Sequence, residues 1–110
     1  MNMNLRDEIN RLHAQVCSGL SDPNRIMILY TLSEHPSNVS DLAEEIGLTQ
    51  PTVSRHLKVL RERGMVASQR EGQAVIYTLT DDRIIQALDL IRSMLADNLK
   101  SQAALLSQRT

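Results

Sequence analysis

The sequence predicts a mainly α-helical domain with one small β-hairpin, in the order α-α-α-α-β-β-α. Three observations support this fold class. Apolar residues recur at helical spacing before residue 64 and after residue 80, residues of high β-propensity lie between, and glycine or proline marks most of the breaks. A chain of 110 residues has room for one compact domain. We therefore expect a single domain over 1–110.

The first predicted helix covers residues 4–18 and carries an apolar stripe. Leu5, Ile9, Leu12 and Val16 recur at spacings of three and four, which places them on one face, and Gly19 ends the helix. A second helix begins at Pro23 after the cap residue Asp22 and runs to about residue 33. Its predicted apolar face consists of Ile26, Leu29, Tyr30 and Leu32.

Two further helices are delimited by caps and glycines. Asn38 caps a predicted helix over 39–46, which Gly47 ends. Thr49 caps the next one, which has Pro51 in its first turn and runs to residue 63 before Gly64. Two helices joined by a glycine-containing turn predict a helix-turn-helix.

After Gly64 the hydrophobic period changes from helical to alternating. The runs 65–70 and 74–79, separated by a polar tip at 71–73, predict a β-hairpin. A last helix, with acidic residues at its start, is expected over 81–106. A helix-turn-helix followed by a hairpin is a winged helix-turn-helix, so we expect residues 18–80 to form a DNA-binding core.

The predicted fourth helix has one apolar and one polar face. At 100° per residue, Val53, Leu57 and Leu60 fall on one side, and a polar, basic face lies opposite. Such a face enters the major groove with its amino-terminal end. The candidate DNA contacts on this helix and the hairpin are Gln50, Pro51, Thr52, Ser54, Arg55, His56, Lys58, Arg61, Arg70 and Gln73.

The candidates differ in the contact that their chemistry favours. Gln50 suits adenine and Arg55 suits guanine, whereas Thr52 and Ser54 suit several partners. Lys58 and Arg61 lie further along the helix and are expected at phosphates. Arg70 and Gln73 are expected at the minor groove or the backbone, and His56 either orients the helix or meets a phosphate.

Charge is unevenly distributed. The chain has a net charge of −1, but residues 48–72 hold five basic and two acidic side chains, and the remainder carries −4. A basic segment on an otherwise acidic protein favours a nucleic-acid partner. Only two residues, Tyr30 and Tyr77, are aromatic, so the stacking platforms of single-strand and RNA readers are missing.

Several other classes are disfavoured. The longest apolar run, 26–30, is too short for a bilayer, and the polar amino terminus has no signal core. A single cysteine, Cys17, excludes an intramolecular disulfide framework. No nucleophile–base set, phosphate loop or metal cluster is recognisable. We therefore expect a cytoplasmic protein that is not an enzyme and needs no cofactor.

Four stretches closely resemble the ArsR/SmtB family of bacterial repressors. They are Leu20–Leu29 (LSDPNRIMIL), Val39–Ala43 (VSDLA), Leu48–Leu60 (LTQPTVSRHLKVL) and Gly64–Val66 (GMV). The resemblance covers roughly residues 10–95. It implies a homodimeric winged-helix repressor that leaves its operator when an inducer binds. By motif, it implies DNA contacts at Gln50, Pro51, Thr52, Ser54 and Arg55.

A dimer also has an argument of its own. The first and last helices carry longer apolar stripes than so small a core can receive, and exposed stripes usually mark an interface. The resemblance implies contact through these same helices, 4–18 and 81–106. A two-fold dimer presents two recognition helices to successive major grooves, so the expected operator is a double-stranded inverted repeat.

Metal sensing is disfavoured at both sites common in this family. Asn38 and Ser40 occupy the positions of a cysteine pair, and the last helix offers carboxylates without histidine. Cys17 remains a candidate sensor, either with His13 four residues earlier or as a redox or persulfide switch. The alternative is that Cys17 is a small buried apolar residue.

Rival interpretations stay open at this point. A winged helix that only mediates protein contacts is the main alternative to a DNA-binding regulator. Within the repressor hypothesis, a thiol signal, an organic ligand between helices, or control by protein level alone are all compatible with the sequence. The inducer, the operator sequence and the choice between repressor and activator are not fixed by it.

Overall fold

A computed structural model describes residues 4–108, so the predicted domain limits at 1 and 110 lie outside the described residues. The described chain contains five α-helices, one π-helical turn and one hairpin. Their bounds are α1 Leu5–Leu12, a π-helical turn His13–Cys17, α2 Pro23–Glu34, α3 Val39–Ile46, α4 Gln50–Glu62, β1 Val66–Glu71, β2 Ala74–Leu79 and α5 Arg83–Gln108. The predicted order α-α-α-α-β-β-α is confirmed.

The first helix differs from the prediction in its second half. It is α-helical only to Leu12 and then widens into the π-helical turn, where the Ser18 N–H bonds to the His13 carbonyl. The Ala14 carbonyl in this turn accepts hydrogen bonds from the Ser18 hydroxyl and from Arg63 at the end of α4. A regular stripe at α-helical spacing gives no sign of such a turn.

The predicted caps of the next three helices are confirmed. The side chain of Asp22 accepts a hydrogen bond from the Asn24 N–H at 2.8 Å, and that of Asn38 accepts one from the Asp41 N–H at 2.8 Å. The Thr49 hydroxyl takes the same place before α4. Each cap satisfies an N–H that has no partner inside its helix, which fixes where the helix begins.

The hairpin is attached to the helices by an isolated bridge. Its register runs from Val66 opposite Leu79 to Glu71 opposite Ala74, so the connection is two residues long rather than the three expected. Gly72 supplies the positive φ of 64° that this tight turn requires. Tyr77 of β2 exchanges backbone hydrogen bonds of 2.8 and 3.2 Å with Ser37 before α3.

The core is aliphatic and lies under α4. The predicted α4 face of Val53, Leu57 and Leu60 is fully buried. In α2, Ile28 and Leu29 are fully buried, whereas the predicted Ile26 and Tyr30 are only half-buried. The predicted Leu32 is buried as well, and Ile28 lies outside the predicted face because α2 packs against α3, α4, α5 and the hairpin, so its buried surface is wider than one stripe.

Helix α5 leaves this core after two turns. It runs from Arg83 to Gln108, so it begins and ends two residues later than the predicted range 81–106. Leu88 is buried, and the Tyr30 hydroxyl donates to the Asp89 carboxylate at 2.6 Å, which ties α2 to α5. Between residues 4 and 108, no helix is both long enough and apolar enough to cross a membrane.

Candidate nucleic-acid interface

Helix α4 presents its polar side to solvent. Gln50, Pro51, Ser54, Arg55 and Lys58 are all exposed, while Thr52 on the flank is half-buried. The three buried side chains hold the opposite side of the helix in the core, so the polar side faces solvent. A helix held in this way projects its first two turns outward as a rigid polar ridge.

The amino-terminal end of this ridge is internally hydrogen-bonded. The Thr49 hydroxyl donates to the Thr52 hydroxyl at 2.8 Å, and the Thr52 N–H approaches the Thr49 oxygen at 3.4 Å. One Arg55 Nη donates to the same Thr52 oxygen at 3.4 Å. The guanidinium of Arg55 is thereby held near the start of α4, where helix ends of this kind approach base edges.

The remaining candidates lie further from the amino-terminal end of α4. Lys58 is exposed one turn further along, and Arg61 Nη1 donates to the Ser68 hydroxyl of β1 at 3.3 Å. Arg70 and Gln73 are exposed on β1 and at the hairpin turn. The candidates are thus distributed over two elements, α4 and the hairpin.

His56 does not share the solvent-facing surface with its neighbours. Its side chain is only 13% exposed, Nδ1 lies 3.3 Å from Arg25 Nη1, and Nε2 lies 3.9 Å from an Asp22 oxygen. The predicted alternative of a phosphate contact does not fit this placement, because the ring points into the protein. The other predicted alternative, orienting the helix, agrees with it.

Arg25 is the residue that sequence reasoning missed. It lies in the first turn of α2 and donates to the Gly19 carbonyl at 2.7 Å, to the Ser18 carbonyl at 3.3 Å and to the Ser21 hydroxyl at 3.1 Å, besides its contact with His56. A helical projection of α4 could have flagged His56, which falls next to the buried side. No local pattern identifies Arg25 as its partner.

The perturbed titrating groups lie away from the ridge. At the end of α2, hydrogen bonds to the Pro36 carbonyl and to Glu45 raise the pKa of His35. Before α5, hydrogen bonds from Arg83 lower the pKa of Asp81 to about 2. Both groups are exposed and belong to surface ion pairs, one after the end of α2 and one at the start of α5.

Cys17 is exposed in the single chain and does not lie buried under α2. It borders an open apolar groove together with Leu12, Val16 and Leu20 on one side and Leu88 on the other. The Asn38 side chain, which the resemblance aligned with a metal-binding cysteine, serves as the cap of α3. Within residues 4–108 no three His, Cys, Asp or Glu side chains form a group that could hold a metal ion.

The two outer helices expose their apolar stripes. Ile9 and Leu12 of α1 are 51% and 52% exposed, and Ile91, Leu95 and Leu99 of α5 are between 56% and 58% exposed. Contiguous apolar surface of this extent is unusual on a monomer and marks an interaction surface.

Comparison with known proteins relates the chain to one family. The family described as "Bacterial regulatory protein, arsR family" matches residues 22–68, from the cap of α2 into β1. The HTH-type transcriptional regulator NmtR of Mycobacterium tuberculosis is 46% identical over 79 residues, which are 69% of this chain and 66% of that protein.

Solved structures agree with this assignment. The transcriptional repressor BigR from Xylella fastidiosa superimposes with a TM-score of 0.69 at 34% identity, over 84% of this chain and 96% of that one. A homodimeric winged helix-turn-helix DNA-binding domain from Mycobacterium bovis gives a TM-score of 0.76 at 22% identity, over 90% and 92% of the two chains, and supports the fold alone. The chain belongs to the arsR family of bacterial regulatory proteins, with the winged helix-turn-helix fold.

Proposed function

We propose that this regulator is a homodimeric repressor that binds an inverted-repeat DNA operator through the polar face of α4. The observation that carries the proposal is the placement of Gln50, Arg55 and Lys58, all exposed on a helix whose opposite side is fully buried. A rigid ridge of amide, guanidinium and ammonium groups suits the edges and phosphates of a major groove.

The side chains divide into base readers and phosphate contacts. Arg55 pairs with guanine and Gln50 with adenine, with Pro51, Thr52 and Ser54 packed against neighbouring bases. Lys58 and Arg61 neutralise phosphates, while Arg70 and Gln73 on the hairpin meet the backbone or the minor groove beside the site. We assign His56 to positioning α4 rather than to contact with DNA.

Dimerisation is proposed through the outer helices. Residues 18–80 carry the DNA-binding surface, and 4–18 and 81–106 form the dimer contact. The support is the exposed apolar stripe on each helix. A two-fold axis through this contact pairs the two α4 helices and requires a palindromic operator.

Release of DNA by a thiol signal is the second candidate, favoured only by the exposure of Cys17. The sequence has one cysteine, so oxidation to a disulfide requires Cys17 of a partner subunit. Operator binding by the wild type and Cys17→Ser, measured with and without diamide, tests this. Equal responses of the two proteins eliminate the thiol signal and leave the repressor proposal intact.

The test of the main proposal uses a duplex selected by the wild type from a random pool. Arg55→Ala should weaken binding to that duplex by about 1–3 kcal/mol and leave binding to scrambled duplex almost unchanged. Lys58→Ala should weaken binding to both duplexes. It should also reduce the slope of log binding constant against log salt concentration by about one. Glu62→Gln, which removes a charge from the same helix, is the control expected not to weaken either.

Two results would contradict the proposal. One is a selection that enriches no sequence, which is what a winged helix devoted to protein contacts predicts. The other is an equal loss on selected and scrambled duplexes for Arg55→Ala, which would remove its role in base reading.

A further inference from the structure

Arg25 joins three segments of the chain through one guanidinium group. Its Nε donates to the Gly19 carbonyl at 2.7 Å, and Nη2 donates to the Ser18 carbonyl at 3.3 Å and the Ser21 hydroxyl at 3.1 Å. These carbonyls follow the π-helical turn at the carboxyl end of the first helix, and the Ser18 carbonyl also accepts from the Ser21 hydroxyl at 2.8 Å. A cation there also meets the negative end of the helix dipole.

The fourth contact of Arg25 reaches the recognition helix. Nη1 lies 3.3 Å from Nδ1 of His56, which faces inward from the middle of α4. An arginine can only donate, so Nδ1 of the imidazole is the acceptor in this contact. The other ring nitrogen, Nε2, faces the Asp22 carboxylate at 3.9 Å. The imidazole is thus placed by a cation and an anion from the first turn of α2.

A second arginine makes a parallel connection at the end of α4. Arg63 donates through Nη1 to the Ala14 carbonyl in the π-helical turn. The core side chains fix which face of α4 is buried, while these two polar links fix α4 relative to the first helix. Arg25 acts near the middle of α4 and Arg63 at its last turn.

In a dimer, the position of α4 relative to the first helix affects the distance between the two recognition helices. If the first helix lies in the subunit contact, its link to α4 determines how far apart the two recognition helices stand. Half-sites on one face of DNA are separated by about 10–10.5 bp, and a change of one base pair also rotates one half-site by about 34–36°. A small shift of α4 therefore changes which spacing both subunits can engage.

We propose that Arg25 and His56 are positioning residues that set the half-site spacing accepted by the dimer. The proposal rests on the proposed dimeric operator binding and adds a pair of residues that does not touch DNA. His56→Leu removes the acceptor and keeps most of the side-chain volume, while His56→Gln keeps an acceptor at the site. Arg25→Met keeps the apolar stem of the arginine and removes every donor.

The experiment measures affinity for the duplex selected by the wild type and for versions with one or two base pairs added to or removed from its centre. The wild type should prefer the selected spacing by about tenfold, as for a mismatched site. His56→Leu and Arg25→Met should each narrow that preference to about threefold or less, and His56→Gln should restore it. His35→Leu, a histidine substitution outside this network, is the control expected to keep the wild-type profile.

The possible results distinguish failure of the positioning role from failure of dimeric operator binding. A wild type that selects no palindrome overturns dimeric operator binding itself. A wild type with a sharp spacing preference that His56→Leu and Arg25→Met both retain overturns the positioning role. A loss that is uniform across all spacings in both variants, and that His56→Gln does not reverse, also overturns it, because reduced folding alone would produce that pattern.

Discussion

The helices of the central unit, residues 22–79, bury most of their apolar surface within the chain, whereas α1 and the part of α5 after Leu88 leave theirs exposed. Ile28, Leu42 and Leu57 in the central unit are fully buried. Leu12 and Leu95 on the outer helices are more than half exposed, although their apolar spacing is just as regular. The difference shows that regular spacing reports an apolar face but does not say whether this chain or another molecule covers it.

The two regions also differ in how their polar contacts are organised. In the central unit, caps and backbone bridges such as Ser37 with Tyr77 fix each element against its neighbour. The outer helices are connected to it by side chains, with Arg25 and Arg63 at the first helix and Tyr30 at α5. The central unit is therefore specified by this chain alone, and we expect the outer helices to reach their final packing in a dimer.

The largest expected effect comes from placing a charge on the exposed apolar stripe of α5. Ile91 is 57% exposed, and burial of such a side chain contributes about 1.5–3 kcal/mol. In a two-fold contact Ile91→Glu removes that contribution twice and buries two carboxylates. We expect the dimer dissociation constant, measured by sedimentation equilibrium, to rise about a hundredfold or more.

Gln86→Glu is the matched control for this change. It adds the same charge at an exposed polar position of α5. The dimer dissociation constant should then change by less than about threefold, as expected for a surface charge. A monomeric wild type, or equal effects of both substitutions, would remove the proposed contrast between the two regions.

The next effect tests the central unit. Leu57→Ala removes a fully buried side chain from α4 and should lower the free energy of unfolding by about 2–5 kcal/mol, measured by urea denaturation. In the Ile91→Glu background, Leu95→Ala should cost less than about 1 kcal/mol, since its side chain is 56% exposed in the single chain. Similar costs at the two leucines would mean that α5 is packed as tightly as the central unit.

These contrasts also explain how far the sequence alone could lead. Asp22, Asn38 and Thr49 act on N–H groups two or three residues away, so the helix starts could be predicted from local spacing. The exposed residues of α4 followed from rotation about a single helix. The contact between Arg25 and His56 spans 31 positions and depends on how three elements pack, so no local pattern contains it.

A smaller effect is expected at a helix cap in the central unit. Asn38→Ala removes the oxygen that accepts from the Asp41 N–H and should lower the free energy of unfolding by about 1 kcal/mol. Ser40→Ala, in the exposed first turn of the same helix, should leave it within about 0.5 kcal/mol. Equal losses in urea denaturation would show that the cap does not determine where α3 starts.

The smallest effect concerns the His35–Glu45 pair at the surface of the central unit. Hydrogen bonds to the Pro36 carbonyl and Glu45 raise the pKa of His35 above its ordinary value. Its contribution to stability is therefore fully present below the unfolded-state pKa and is lost as pH rises through the folded-state pKa. An NMR titration should show the raised pKa, and Glu45→Gln should lower it. An unchanged pKa in that variant would contradict the pairing.

The proposed repressor requires the two α4 helices of one dimer to enter successive major grooves with their polar faces against the bases. The most direct measurement is a dimethyl sulfate footprint on the selected duplex, because this reagent methylates guanine N7 in the major groove and adenine N3 in the minor groove. We predict two clusters of protected guanines about 10 bp apart, with at least one guanine in each cluster losing protection in Arg55→Ala. A single cluster, or protection confined to adenine N3, would contradict the account.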